Sequence, residues 1–450
     1  MHRFFKSDFF NFEFIRILSA APYGGAEIGE CLVAASDIAN DNPESWHRAW
    51  LAQANKARAL GDETMRTGDR VSARRAFLRA SNYYRASGYM FHDAPNTPDL
   101  RVLPLALKVI ETFAQALPLG NGPAFAVSIP FEPYPLPGYL YLPPASKRLK
   151  ESVPLLISLG GADSIQEELY YVYAASGPNL GYAVLTFEGP GQGIMLRRDK
   201  TAMRPDWELV VGRVLDFLER FVEEYPELEL NLSHVAVAGA SMGGYYALRA
   251  AADPRIHACV SIDPFYDMWD FVRNHISPML LDGWNNGWIP TQLINSMMAM
   301  AMASSFQARW EIGLAIWFFG VKTPTDTLVE MMKFTLRRPD GSSRLDDVKC
   351  PVLVSGATQS LYLEPEETLR VFNALEHLGD NRREMWIGRS PEEGGLQAKI
   401  GAIGLSVQKT FQFLDKHLNI QRLSPSQSEI EQLYIRSIRG RGGYDLTASA

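Results

Sequence analysis

The chain has 450 residues, 46% of them hydrophobic and 21% charged. That is long enough to bury a core without disulfide staples and excludes a disordered, collagenous or coiled-coil chain. Its 44 basic and 51 acidic residues leave a net charge of -7, which argues against nucleic acid as the main partner. The three cysteines, Cys31, Cys259 and Cys350, read as reduced thiols of a cytoplasmic protein rather than a disulfide framework.

Arg3, Lys6, Asp8, Glu13 and Arg16 interrupt the aromatic N-terminus, so no secretory signal is expected. No membrane partner is expected either. The nearest approach to a spanning segment, Gly287 to Ala308, carries Pro290, Gln292 and Asn295 and reads as an amphipathic lid.

Residues 1–120 read as a helical region. Ser45 is the expected cap of a helix from Trp46 to Gly61, and a second helix is expected over Val71 to Tyr89. The pattern then changes. Ala124–Pro130 and Gly138–Leu142 flank a turn rich in proline and read as a strand pair. Short apolar runs follow at Val153–Leu159, Tyr182–Phe187, His234–Ala238 and His257–Ile262, with a helical pattern at Trp207–Glu224. Apolar strands alternating with helices imply an α/β fold, a mostly parallel sheet with helices on both faces. Residues 121–263 are its first part. Residues 264–345, rich in Met, Trp and Phe, read as a helical lid. Strands resume at Pro351–Ser355 and Glu384–Ile387, and a helix over Gly404–Leu418 closes the second part, residues 346–420. Residues 421–450 read as a polar tail. A lid so rich in Met and Trp (Trp269, Trp284, Trp288, Met297, Met300, Phe318 among them) either covers a large apolar or aromatic substrate or packs on itself.

The chemistry concentrates at Val235–Ala252. Gly239, Ser241 and Gly243 form G-x-S-x-G between an apolar strand and a helix. Such a turn tolerates only small residues beside the serine and lifts its hydroxyl above the sheet. The Met242 N–H at the helix start then faces a developing oxyanion. The second oxyanion donor is expected from the loop Gly160-Gly161-Ala162-Asp163-Ser164, as the N–H of Gly161 or Ala162. Asp163 reads as a loop anchor through backbone bonds more readily than as a catalytic acid. Glu188–Gly193 reads as a structural turn. No metal motif or phosphate loop occurs, so no metal or cofactor is expected.

With Glu44-Ser-Trp, Arg74–Arg85 (RRAFLRASNYYR), Phe187–Gly193 and Arg204-Pro-Asp-Trp-Glu, the sequence resembles the α/β-hydrolase superfamily and its FrsA-like branch. That branch includes fungal polyketide-shortening hydrolases and the 2,6-dihydroxypseudooxynicotine hydrolase. The chain also resembles the hydrolase-like proteins of fungal cytochalasan pathways. The resemblance implies an α/β-hydrolase fold, an enzyme of fungal secondary metabolism, an apolar or aromatic polyketide-like substrate and a homodimer. It also implies an acid after Pro351–Ser355 and a histidine after Glu384–Ile387. This sequence has Gln359 and Gln397 there, and no histidine from 378 to 416.

A serine hydroxyl without a base is a poor nucleophile, and glutamine cannot serve as one near neutral pH. Asp263, after His257–Ile262, is a candidate active-site acid, with a cap or turn role as the alternative; Asp267 is a weaker candidate. Lys399 could act as a Ser–Lys type base or be a surface lysine, and His275 could point inward from the lid. Three readings remain. Ser241 attacks a polyketide-derived carbonyl; or the oxyanion hole stabilises an enolate in an aldol- or Knoevenagel-type closure with loss of water; or the protein binds an intermediate without chemistry.

Overall fold

A computed structural model describes residues 2–149 and 152–422; the tail reading for 421–450 falls almost wholly outside these residues. Five helices come first: α1 (Asp8–Leu18), α2 (Ile28–Asp37), α3 (Pro43–Thr67), α4 (Arg70–Gly88) and α5 (Val102–Ala116). Helix α3 starts three residues before the expected Trp46 because Asn42 caps it, accepting the Ser45 N–H at 3.0 Å with Pro43 next in the chain. Ser45 is therefore inside the helix and bonds back to Asn42 O at 2.8 Å. Asp69 caps α4 in the same way, accepting from the Ser72 N–H.

One segment of the described residues, Val102–Leu119, is long and apolar enough to cross a membrane by length and composition. Lys108 and Glu111 lie within it, and Leu105, Val109 and Phe113 are buried.

The sheet has eight strands: β1 (Ala124–Ile129), β2 (Leu136–Tyr141), β3 (Val153–Leu159), β4 (Ala183–Phe187), β5 (Leu230–Ala240), β6 (Ala258–Ile262), β7 (Val352–Ala357) and β8 (Arg383–Gly388). Their order is β1-β2-β4-β3-β5-β6-β7-β8. The pairs β1–β2 and β2–β4 are antiparallel and the rest parallel. Strands β3, β4, β6 and β7 are buried at every residue, which is why they read as unbroken apolar runs rather than alternating ones.

Between the strands lie α6 (Gln166–Leu169), α7 (Gly193–Arg197), α8 (Trp207–Glu224) and α9 (Met242–Ala250). The lid comprises α10 (Met268–His275), α11 (Pro278–Asn285), α12 (Thr291–Ser304), α13 (Phe306–Phe319) and α14 (Pro324–Met331). Helices α15 (Pro365–Asn373) and α16 (Ile403–His417) flank β8 in the chain. The fold is that of an α/β hydrolase.

One core packs β3–β5 against α8 and α9, with Trp207 stacked on Tyr246 at 3.8 Å. A second lies on the other face beneath α16, and a third joins α1, α3 and α4 around Trp46 and Trp50. The lid divides its apolar residues. Trp317 and Phe319 join the main core, whereas Met300 and Trp288 are exposed. Ile294 is the one residue of α12 that is buried, so the segment Gly287 to Ala308 offers little of itself to the interior.

Candidate active site

Strand β5 runs at Ala240 into a turn and leaves as α9. Ser241 sits in that turn at φ 57° and ψ -120°, a backbone conformation that costs a non-glycine residue about 1–3 kcal/mol. The turn persists because its neighbours are glycines. A Cβ on Gly239 would lie 2.2 Å from Gly243 O, and one on Gly243 would lie 2.6 Å from Leu159 O. The Ser241 N–H donates to Ile262 O at 2.8 Å, tying the turn to β6. Met242 is the first residue of α9, so its N–H has no acceptor within the helix.

Ser241 and Met242 open onto a cavity of about 270 Å³ together with Gly161, Ala162 and Gln397. Its walls are largely apolar: Phe12 from α1, Phe265, Met268, Phe271, Trp310, Leu314, Phe318 and Met331 from the lid region, and Tyr362 and Leu363 from the loop after β7. Of the lid aromatics and methionines singled out from the sequence, Phe318 faces this cavity, while Met297 and Met300 are exposed.

The loop over 160–164 is braced by the motif at the end of β4. Gln192 Nε2 donates to Gly160 O at 2.7 Å and to Gly161 O at 3.0 Å, while its Oε1 accepts the Gly189 N–H at 3.0 Å. Glu188 accepts the N–H groups of Ile194 at 2.6 Å and Gln166 at 3.2 Å. Gly193 is required there, since a Cβ would fall 1.8 Å from the Glu188 carboxyl. This turn is structural, and its function is to fix the carbonyls of Gly160 and Gly161.

Asp163 is anchored by side chains rather than by the backbone bonds expected. Arg16 contacts it at 2.5 Å and the Tyr89 hydroxyl donates to it. The Arg16 guanidinium beside it holds its carboxyl below the usual range against the opposing effect of burial.

The other candidates fall in different places. Asp263, at φ 48°, is 2% exposed and lies outside the cavity wall. Lys399 Nζ donates to its Oδ1 at 2.7 Å and to Gly356 O at 2.6 Å. The Ala398 N–H donates to Asp263 Oδ2 at 2.7 Å, and Ser355 Oγ to Oδ1 at 3.1 Å. With these donors converging on it, Asp263 is a carboxylate. Burial pushes its pKa up and that of Lys399 down, each opposed by the other's charge.

Lys399 is therefore neither a surface lysine nor a free base; its side chain is fully buried. Gln397 is in the cavity, its Oε1 accepting from Ser360 Oγ and its Nε2 donating to Asp263 O at 3.5 Å. Gln359 is outside it, exposed, with Nε2 donating to Arg389 O at 3.3 Å. Asp267 caps α10 and accepts from Thr335 Oγ1 at 2.9 Å.

No histidine among the described residues lines the cavity. His92 is half-buried between Trp310 and Trp317, and desolvation of its ring there pushes its pKa down to about 3. His47 contacts Ser87 O, His234 Asn231, His377 Val348 O and His417 Glu384. The side chain of His275 lies outside the described residues. Among the described residues no group of three His, Cys, Asp or Glu could hold a metal ion.

Sequence reasoning passed over Glu13, Arg16 and Glu168, polar groups that line the same cavity. The signal was an acid inside the aromatic run Phe9–Phe14 with a base three residues after it, where solvated charges are out of place.

The geometry, a serine on a strained strand-to-helix turn above a mostly parallel sheet, defines an α/β hydrolase. The model of the alpha/beta hydrolase family matches residues 167–374. The chain is 74% identical to the hydrolyase poxO of Penicillium oxalicum over 424 residues, covering 94% of this chain and 100% of that protein. It is 50% identical to the hydrolase ORFZ of Pyricularia oryzae (94% and 99% covered) and 49% identical to the alpha/beta hydrolase psoB of Aspergillus fumigatus (97% and 99%). Among solved structures, the 2,6-dihydroxy-pseudo-oxynicotine hydrolase aligns with a TM-score of 0.65 at 18% identity, covering 91% of this chain and 98% of its own. The chain belongs to the α/β-hydrolase family and is an enzyme.

Proposed function

We propose that this enzyme acts in fungal secondary metabolism on a polyketide-derived carbonyl compound, with an amino acid-derived aldehyde in the same molecule, and closes a ring by condensation with loss of water. One observation carries the reading: the cavity is lined by Ser241, Met242, Gly161 and Ala162 but by no imidazole among the described residues, and Asp263 is engaged by Lys399. Amide donors at Met242 and at Gly161 or Ala162 suit the oxygen of an enolate as well as that of a tetrahedral adduct. An enolate needs no activated serine. Its carbon forms the new bond to the aldehyde carbon, and the resulting hydroxyl leaves as water. The largely apolar wall suits an acyl chain or an aromatic side chain, and the name hydrolyase carried by the Penicillium relative is compatible with dehydration.

The test is a mass measurement on an N-(β-ketoacyl) amino aldehyde, N-(β-ketodecanoyl)phenylalaninal, incubated with the protein. Loss of one water, faster than in buffer, is the expected result. Gain of one water instead would establish hydrolysis, the second reading, which the intact serine turn favours. An unchanged mass with the compound bound would make the protein a carrier.

A further inference from the structure

Helix α1 brings three side chains to the cavity wall: Phe12, Glu13 and Arg16. Glu13 is 2% exposed. It belongs to a largely buried cluster with Arg16, Arg85, Tyr89, Asp163 and Glu168, in which Glu13 and Arg85 are the most shielded, drawn from α1, the C-terminal end of α4, the loop after β3 and α6. The cluster holds three carboxyl groups against two guanidiniums.

The contacts show which carboxyl is left over. Glu168 accepts from Arg16 Nε and Nη2, at 2.6 Å each, and pairs with Arg85 at 3.3 Å. Asp163 takes Arg16 at 2.5 Å and the Tyr89 hydroxyl proton. Glu13 retains a 3.4 Å contact to Arg16, and its Oε1 lies 3.1 Å from the Tyr89 oxygen. That hydroxyl has one proton, already committed to Asp163. Glu13 is therefore the least neutralised carboxyl of the cluster and the one best placed to hold a proton.

We propose that Glu13 is the acid–base group of the Ser241 cavity, a neutral carboxyl that gives its proton to the ligand oxygen formed on carbon–carbon bond closure and then takes one back from carbon. The proposal rests on the condensation reading for its chemical step. The first α-proton goes to solvent. The enolate carbon bonds to the aldehyde carbon, and the alkoxide so formed takes the Glu13 proton. The Glu13 carboxylate, beside Arg16, then removes the second α-proton. The C–H electron pair becomes the double bond as the C–O pair leaves with hydroxide, which joins the solvent proton as water. Glu13 ends protonated, as it began.

Burial pushes the Glu13 carboxyl up to about 7, with Arg16 opposing and Asp163 reinforcing the shift, which places it where a proton can travel both ways. The other ionisable groups facing the cluster are few. Tyr362 stays neutral through burial. Glu311, on α13, accepts from Gln307 Nε2 at 2.8 Å. Arg197 faces Asp163 from the far side and also lies beside Glu188 and Glu167.

The test uses the full chain and a probe that cannot condense, N-(β-ketodecanoyl)phenylalaninol, titrated from about pH 5.5 to about pH 8.5. Wild-type affinity is expected to fall about tenfold with a midpoint near 7, as a donor becomes a carboxylate facing the ligand. Glu13→Gln keeps a neutral donor and removes the pH dependence; Tyr89→Phe moves the midpoint. With the corresponding aldehyde, Glu13→Gln slows water loss at least about 100-fold, and the β-hydroxy adduct accumulates. A wild type that binds with no pH dependence or not at all, a midpoint that survives Glu13→Gln, or an unchanged rate in that variant would each overturn the proposal. If the aldehyde does not lose water on the wild type, the condensation step falls with it, while the binding titration still decides where the proton sits.

Discussion

Lys399 Nζ lies 2.7 Å from Asp263 Oδ1, and neither side chain is more than 2% exposed. The two residues are 136 positions apart and meet outside the cavity wall, next to Gln397. Ala398 and Lys399 both adopt left-handed backbone, at φ 55° and 58°. That turn sends the lysine down to the aspartate and leaves Gln397 and Ala398 facing the ligand space.

Breaking this pair from either side strands an uncompensated charge. Asp263→Asn or Lys399→Met is expected to destabilise the fold by about 3–5 kcal/mol, whereas the double variant recovers much of that loss. Urea unfolding of the four proteins measures it. Additive losses in the double variant would show that the two groups act independently.

Ser241 has no described imidazole to take its proton, so a fluorophosphonate probe is expected to label it slowly and incompletely near neutral pH. Intact-protein mass spectrometry against Ser241→Ala gives the answer. Rapid stoichiometric labelling that vanishes in the variant would mean that a base has been overlooked, and hydrolysis would become the better reading.

Gln192 holds the loop after β3 through the carbonyls of Gly160 and Gly161. Gln192→Leu keeps the size but frees both carbonyls. The expected result is a rate of water loss lower by roughly 10², with far-ultraviolet circular dichroism unchanged. A rate equal to the wild type's would relegate the motif Glu188–Gly193 to packing alone.

The Glu13 carboxyl also couples folding to pH. Its ordinary value is 4.5, and the fold raises it to about 7. Below 4.5 both states hold the proton and the stabilisation is complete. As pH rises, the unfolded chain ionises first, so stability drains away between 4.5 and about 7, by on the order of 3 kcal/mol. His92 adds the opposite slope between about 3 and 6.5, because it is neutral in the fold and protonates on unfolding. Subtracting wild type from Glu13→Gln cancels His92 and isolates Glu13. The variant is expected to gain steadily on the wild type across that window; a constant difference would contradict a raised carboxyl.

The sheet, the serine turn and the helix over Trp207–Glu224 were legible in the residues alone. Fully buried parallel strands are short apolar runs, and a tight turn between strand and helix demands glycines two positions either side of the serine; both are local constraints that leave local patterns. The start of α3 was misjudged because Asn42 and Pro43 outcompete Ser45 as a helix start.

What surrounds Ser241 was decided elsewhere. Glu13 and Arg16 reach the cavity from the first helix, Trp310 from the lid and Gln397 from the last loop. Asp163 meets Arg16 across 147 positions. An ion pair or a buried proton depends on how many charges are brought together away from water, and no spacing along the chain encodes that sum. The sequence by itself determined an α/β-hydrolase scaffold with a serine at its apex and glutamines where acid and histidine were expected. Only the tertiary structure decided that Asp263 is paired with Lys399 and that Glu13 is buried beside Arg16, Asp163 and Glu168, because both follow from burial and from distances between remote segments.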